Sequence, residues 1–203
     1  AFAGAMVGML MSGNILMLVV FWELTSLFSF LLVGYWHQSQ NARDGARTAL
    51  VVTGAGGLCL LLAMLMIGRI AGSYDLDVVL EAGDLVRSDP AYPLILVLFL
   101  LGCFTKSAQM PFHFWLPGAM AAPTPVSAFL HSATLVKAGV FLLVRFFPVL
   151  GETQLWFFLV TGIGMATLLF ASILALFRHD LKGLLAYSTV SHLGLITALA
   201  GIG

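Results

Sequence analysis

The chain has 203 residues, of which 61% are apolar and only 9% charged; its mean hydropathy is +1.05 and its formal net charge is zero. A soluble globular domain carries about 25% charged residues, so there is too little charge here to cover a water-facing surface, and lipid is the natural solvent. The neutral balance excludes an electrostatic nucleic-acid binder and a polybasic membrane anchor.

The chain opens at Ala1 inside one apolar run and closes at Gly203 inside another. No charged n-region precedes the first run, which argues against a signal peptide. We therefore expect residues 1–203 to be a fragment, part of a single transmembrane domain. A spanning helix needs about 20 mostly apolar residues. The first candidate is 14–36, after a short apolar lead over 2–11 that reads as the tail of an earlier helix. The second is 48–70. Residues 71–92 hold Asp75, Asp77, Glu81, Asp84 and Asp89 and read as a water-facing loop, within which 75–86 can form a short surface helix. The remaining spans are 93–109, 125–147, 155–177 and the more polar 181–202. The fold class expected is all-α, a polytopic transmembrane helix bundle with about six spans.

The third span does not end simply. After Lys106 and Gln109 come Pro111 and Pro117, then Pro123 and Pro125. A proline removes a backbone donor and clashes with the preceding turn, so helices kink or end there. A helix interrupted at membrane depth must be buried in protein or line a wet cavity, and such breaks mark ion pathways in transporters. The spacing fits an ordinary interfacial loop anchored by Trp115 equally well. Counting Lys and Arg at the helix ends gives a weak bias that places 38–47 in the cytoplasm and the acidic loop outside.

The six arginines lie in loops or at helix ends, whereas two of the three lysines fall inside spans. Lys137 falls at the middle of the fourth span, Lys106 inside the third just before its break, and Lys182 at the start of the sixth. Of the acids, only Glu23 is mid-helix, in the first span. A charge at the bilayer centre costs about 2.5–3.5 kcal/mol on insertion scales, so Glu23 and Lys137 are expected to face the bundle interior. A buried lysine can give up its proton or pair with an acid across helices, and a protein that switches between these states can move a proton. The alternative is a static buried ion pair, which is costly, or, for Lys106, snorkelling to the near interface.

Histidine adds relay capacity, because it titrates near neutral pH. At 100° per residue His131 and Lys137 lie about 120° apart on one helix, as two stations on a path would. His192 sits with Ser188, Thr189 and Ser191 in the sixth span. His113 reads as interfacial; His37 and His179 read as solvated. Cys59 and Cys103 read as small buried hydrophobes, and Gly54, Gly56 and Gly57 as sites of close helix packing. P-loop, dinucleotide and HExxH motifs are lacking, as are flavin, haem and iron–sulfur patterns, so no cofactor or metal is expected.

Several stretches together resemble one family. They are Lys106-Ser107-Ala108-Gln109-Met110-Pro111, Trp115-Leu116-Pro117, Ala119-Met120, Ala122-Pro123-Thr124-Pro125-Val126-Ser127-Ala128 and His131-Ser132-Ala133-Thr134. Trp22-Glu23 followed by Leu31-Leu32-Val33-Gly34, and the run from Asp180 to Ser191, agree with it. The chain is similar to the antiporter-like membrane subunits of respiratory complex I and of Mrp-type multisubunit cation/proton antiporters. Lys137 and Phe112-His113-Phe114-Trp115 resemble the large A-type subunit of Mrp antiporters more, while Ala121 departs from it where many such proteins carry an acid.

The resemblance implies a proton-conducting subunit of a Na+(cation)/H+ antiporter, working with other membrane subunits in a bacterial cell membrane. It implies a Glu23–Lys106 ion pair on the inlet side, His131 and Lys137 toward the middle, and Lys182 and His192 further along. The alternative is the corresponding proton-pumping subunit of an NADH:quinone oxidoreductase; a third reading has the charges pin helix register only.

Overall fold

The computed structural model describes residues 1–202, apart from the side chains of residues 131–133. Two apolar helices, α1 (Phe2–Met11) and α2 (Ile15–Val33), form the first hairpin. Asn14 starts α2, its side-chain oxygen accepting from the backbone N–H groups of Leu16 and Met17, which satisfies donors that a helix start leaves open. The third element, α3 (Gln40–Ala71), is one 32-residue helix. It begins eight residues before the expected start, because its polar first turns, outside the apolar run, are tied by Gln40–Asp44 and Arg43–Gln40 contacts along one helix face. At about 48 Å it outreaches the hydrocarbon layer, so these turns stand in water. It stops at Gly72, whose positive φ of 73° is the left-handed conformation that glycine adopts without strain.

The acidic loop holds two short helices, α4 (Leu76–Glu81) and α5 (Gly83–Ser88), where one was expected. Backbone bonds from Ile15 to Tyr74 and from Leu76 to Gly13 seat the loop on the α1–α2 turn. Arg87 pairs with Asp84 at 2.7 Å and donates to the Pro148 carbonyl at 2.5 Å, closing this end of the bundle.

Next comes α6 (Tyr92–Lys106), with 15 residues. Its length of about 22 Å falls short of the ~30 Å hydrocarbon core, so this helix does not by itself cross a membrane. The chain then turns through Ala108, which has φ 50° and is fully buried. A 3-10 turn (Phe112–Phe114) and α7 (Trp115–Ala119) follow. Pro111 precedes that turn, Pro117 lies inside α7, Pro123 stands before α8 (Thr124–Ser127) and Pro125 is within it.

The fourth span is not a uniform α-helix. α8 runs into a π-helical stretch (Ala128–Thr134) before α9 (Lys137–Arg145). The 100° count between His131 and Lys137 therefore fails, because π winding changes the advance per residue. Two short helices, α10 (Phe147–Leu150) and α11 (Gln154–Trp156), lead through a second π turn (Phe157–Thr161) into α12 (Gly162–Leu176), and α13 (Leu181–Ile202) packs along it. Among the described residues four helices are long and apolar enough to cross a membrane: 15–33, 40–71, 154–176 and 181–202. The third expected span is the single short helix α6, which ends at Lys106, and the fourth is assembled from α8, the π-helical stretch and α9. The chain is thus an all-α, multi-pass membrane bundle.

Candidate functional site

The break after α6 builds the site. Lys106 is the last residue of α6 and is 0% exposed. Its Nζ donates to the Trp22 carbonyl at 2.9 Å and to Ser26 Oγ at 2.7 Å, and lies 4.8 Å from the centroid of a Trp22 ring. Trp22 and Ser26 are one turn apart on α2, so they share the face turned to α6. The Trp22 carbonyl is a polar hub, since Thr25 Oγ1 also donates to it at 2.7 Å. Charge-assisted hydrogen bonds and a cation over an indole face are among the stronger ways to hold a buried ammonium.

Glu23 lies 100° further round α2 and turns toward α3. A Cβ added at Gly57 would meet the Glu23 carboxylate, so the acid rests directly on the bare backbone of α3. Its Oε1 is buried with no hydrogen-bond partner. Among the described residues, ion pairs within 4.0 Å involve Arg87. Lys106 therefore does not make the direct ion pair with Glu23 that the resemblance implies; the Trp22 carbonyl and Ser26 Oγ accept its hydrogen bonds instead.

Three bonds hold the break open. Trp115 Nε1 donates to the Thr105 carbonyl at 2.8 Å, folding α7 back onto the end of α6. Gln109 N–H reaches the Phe104 carbonyl at 2.9 Å. The Met110 N–H donates to Thr167 Oγ1 at 2.9 Å, tying the break to α12. These pair backbone groups that an interrupted helix would strand in a low dielectric. Below the break, an open pocket of about 430 Å³ is lined by Asn41, Asp44, Thr48 and Trp115 among others, which brings polar groups of the α3 foot beneath it. Ser107 and Gln109 are fully buried within the break.

The other candidates scatter. Lys137 was expected inside the bundle but is exposed on the described structure. It lies in an apolar groove of about 290 Å³ beside Met6, Val7, Leu10 and Phe141, because α9 turns its small residues Ala138 and Gly139 inward. The His131 side chain lies outside the described residues. His192 is exposed, its Nδ1 bonded to the Ser188 carbonyl at 2.7 Å. His113 is half-buried at the break, edge-on to Phe170 at 4.9 Å.

Lys182 donates to the carbonyls of Met120 at 3.2 Å and Ala122 at 2.8 Å, clamping the turn after α7 to the start of α13. Alanine at Lys182 is expected to lower thermal stability by up to about 3 kcal/mol, the range for hydrogen bonds from charged donors. Glutamine, which keeps amide donors, should recover much of the loss. Melting of the purified complex checks this, and equal melting of both variants with the native protein would show that the clamp is unimportant.

Sequence reasoning gave Ser26 no role, took Trp22 only as part of a family stretch and Gly57 only as a packing glycine. The signal for them was the run Trp22-Glu23 with Thr25 and Ser26, a polar patch in an otherwise apolar helix.

A fully buried lysine at the broken end of an apolar helix, with an acid on the neighbouring helix, marks this as a multi-pass membrane protein that keeps ionisable groups inside its helix bundle. The profile of the family described as "NADH:quinone oxidoreductase/Mrp antiporter, TM" matches residues 12–203, and the chain belongs to that family. It is 63% identical over all its 203 residues to a probable K(+)/H(+) antiporter protein of the A/B type from Rhizobium meliloti (strain 1021), covering 20% of that protein. It is 49% identical over 202 residues to a "Putative antiporter subunit mnhA2" of Staphylococcus aureus (strain MRSA252), covering 25% of it. The fold superposes on a chain of the Mrp complex from Dietzia sp. DQ12-45-1b with a TM-score of 0.94 at 43% identity, covering all of this chain and 22% of that one. It also matches a chain of an archaeal respiratory membrane complex, the membrane-bound sulfane sulfur reductase. There the TM-score is 0.82 at 26% identity, over 98% of this chain and 41% of that one. The chain thus spans a quarter or less of the length of these curated relatives.

Proposed function

We propose that the chain is the proton-conducting portion of the A-type component in a multisubunit cation/proton antiporter of a bacterial plasma membrane. The observation that carries this reading is Lys106, fully buried at the broken end of α6 with Glu23 on the neighbouring helix. In the proposed cycle, a proton leaves Lys106 Nζ toward His131 and Lys137 when the surroundings of the ammonium change. Lys106 is then neutral, and its next proton comes from the inlet side. Glu23 tunes this step, because a carboxylate held near a lysine favours the charged form and its withdrawal favours release. Lys137 fits the path through a face that further segments of the longer chain would cover. His192 and Lys182 are the outermost candidates.

The exchanged ion is a monovalent cation. Sodium is the expectation from the family, and the name of the Rhizobium relative supports potassium. Protons and this cation are the transported species, and other membrane subunits are the partners. As part of an antiporter the chain does no bond chemistry of its own. The second reading is an antiporter-like pump component of an NADH:quinone oxidoreductase, which the family's description and the likeness to a respiratory complex favour.

Everted vesicles holding the full-length chain with its companion subunits separate the two. Added Na+ or K+ is expected to dissipate a preformed proton gradient, and the more effective ion identifies the substrate. Gradient formation driven by NADH, with no response to either cation, would replace the first reading by the second.

A further inference from the structure

Two consecutive glycines on α3 carry the two halves of the charged site. A Cβ at Gly57 would meet three atoms of the Glu23 carboxyl group, Cδ at 2.6 Å and Oε2 at 3.3 Å with Oε1 closer still. A Cβ at Gly56 would meet Thr105, the residue before Lys106, with Thr105 Cβ at 2.8 Å. Gly54, on the same helix, has nothing within 4 Å of its added Cβ. Close packing of this helix thus does not account for all three glycines. The two that matter receive the acid and the helix end that presents the lysine. The Glu23 carboxylate has no hydrogen bond through Oε1 to fix it, so its position depends on the surface it rests on.

We propose that Gly57 is a positioning residue for Glu23, and that the Gly56-Gly57 pair sets the separation between Glu23 and Lys106. The inference rests on the antiporter reading above. In this arrangement the carboxylate is seated against α3 while Lys106 bonds to α2, so the two charges influence each other without contact. Any side chain at residue 57 pushes the carboxylate out of its seat. Its flexible end can move, so the helices need not separate, and the disturbance falls on charge geometry rather than on the fold.

The test uses the full-length chain in its assembled complex, with cation-driven proton exchange followed across pH in everted vesicles. Gly57→Ala is expected to reduce exchange at least about 10-fold and to displace its pH optimum, since displacements of about 1 Å at a reacting centre cost on the order of 100-fold. Gly54→Ala is expected to behave like the native protein. Glu23→Asp retracts the carboxylate by one methylene. Alone it should impair exchange, but combined with Gly57→Ala it should restore most of the rate and the native pH optimum. Native rate and pH profile in Gly57→Ala overturn the proposal, and so does an impaired Gly57→Ala that Glu23→Asp fails to improve. Where Gly57→Ala does not accumulate in membranes, the double variant decides: accumulation supports the contact, and loss of both overturns it. Glu23→Gln and Lys106→Met, measured alongside, separate the two layers. Native exchange in both removes the antiporter reading, whereas their loss with an unaffected Gly57→Ala removes only the glycine's role.

Discussion

Methionine at Lys106 is expected to abolish cation/proton exchange while leaving the complex assembled and no less stable to heat. The two halves of this expectation have different physical origins. Lys106 is 0% exposed, and its ammonium is held by the Trp22 carbonyl, Ser26 Oγ and an indole face. Those contacts offset desolvation, but replacing a buried charge by an apolar side chain of similar volume is often neutral or stabilising. The oxygens left behind keep other partners: Thr25 Oγ1 bonds the Trp22 carbonyl, and Ser26 Oγ can donate to it. Transport has no such substitute. A positioned proton-transfer group contributes about 10²–10⁴-fold, so exchange in vesicles should fall by at least that factor. Arginine at the same position sharpens the test, because it keeps the charge but does not release its proton. If Lys106→Arg retains exchange, the lysine serves as a fixed charge and the relay is wrong. If Lys106→Met retains exchange, the site has been misassigned altogether.

Gly194→Leu is expected to lower the level of the protein in membranes several-fold, whereas Gly162→Leu should leave it unchanged. Helices α12 and α13 cross with their backbones in near contact. A Cβ at Gly194 would lie 2.6 Å from the Leu168 backbone nitrogen, and one at Gly164 would lie 2.8 Å from the Cα of Ala198. Gly201 presses similarly on Thr161. The obstacles at Gly194 and Gly164 are backbone atoms, which cannot swing away as a side-chain tip does. In lipid no hydrophobic force drives two apolar helices together, so their association rests on such close approach. Overpacking one such site costs about 1–3 kcal/mol or more, enough to change abundance several-fold. Gly162 has nothing within 4 Å and faces outward, so it controls for the leucine itself. Immunodetection in membranes, with melting of whatever is recovered, gives the answer. Equal levels of both variants would show that the crossing tolerates a larger separation.

The class of solvent and the fold class were determined by the sequence alone, since 9% charged residues cannot clothe a soluble domain. The sequence also placed the interruption after Lys106. The prolines and the polar run around them leave no continuous helix there, and α6 ends at Lys106 itself. It singled out Glu23 and Lys106 as well, because a charge deep in an apolar run is conspicuous whatever surrounds it.

What the linear pattern could not supply was direction. Facing is set by how helices rotate against their neighbours, and the π-wound stretch over Ala128–Thr134 alters the helical count before Lys137. Lys137 consequently points away from the described core, although its sequence position is mid-span. The same limit hid the partners of Lys106. They come from α2, 80 and 84 residues earlier in the chain, and a main-chain carbonyl is among them. No residue-type pattern marks a carbonyl as a ligand. The sequence placed Lys182 only at the start of the sixth span, and the return of the turn after α7 made it a clamp on Met120 and Ala122. Gly57 read as close packing, which is a contact between helices. The tertiary structure decided what it contacts, which is the carboxylate of Glu23, and that makes a missing methyl group part of the charged site.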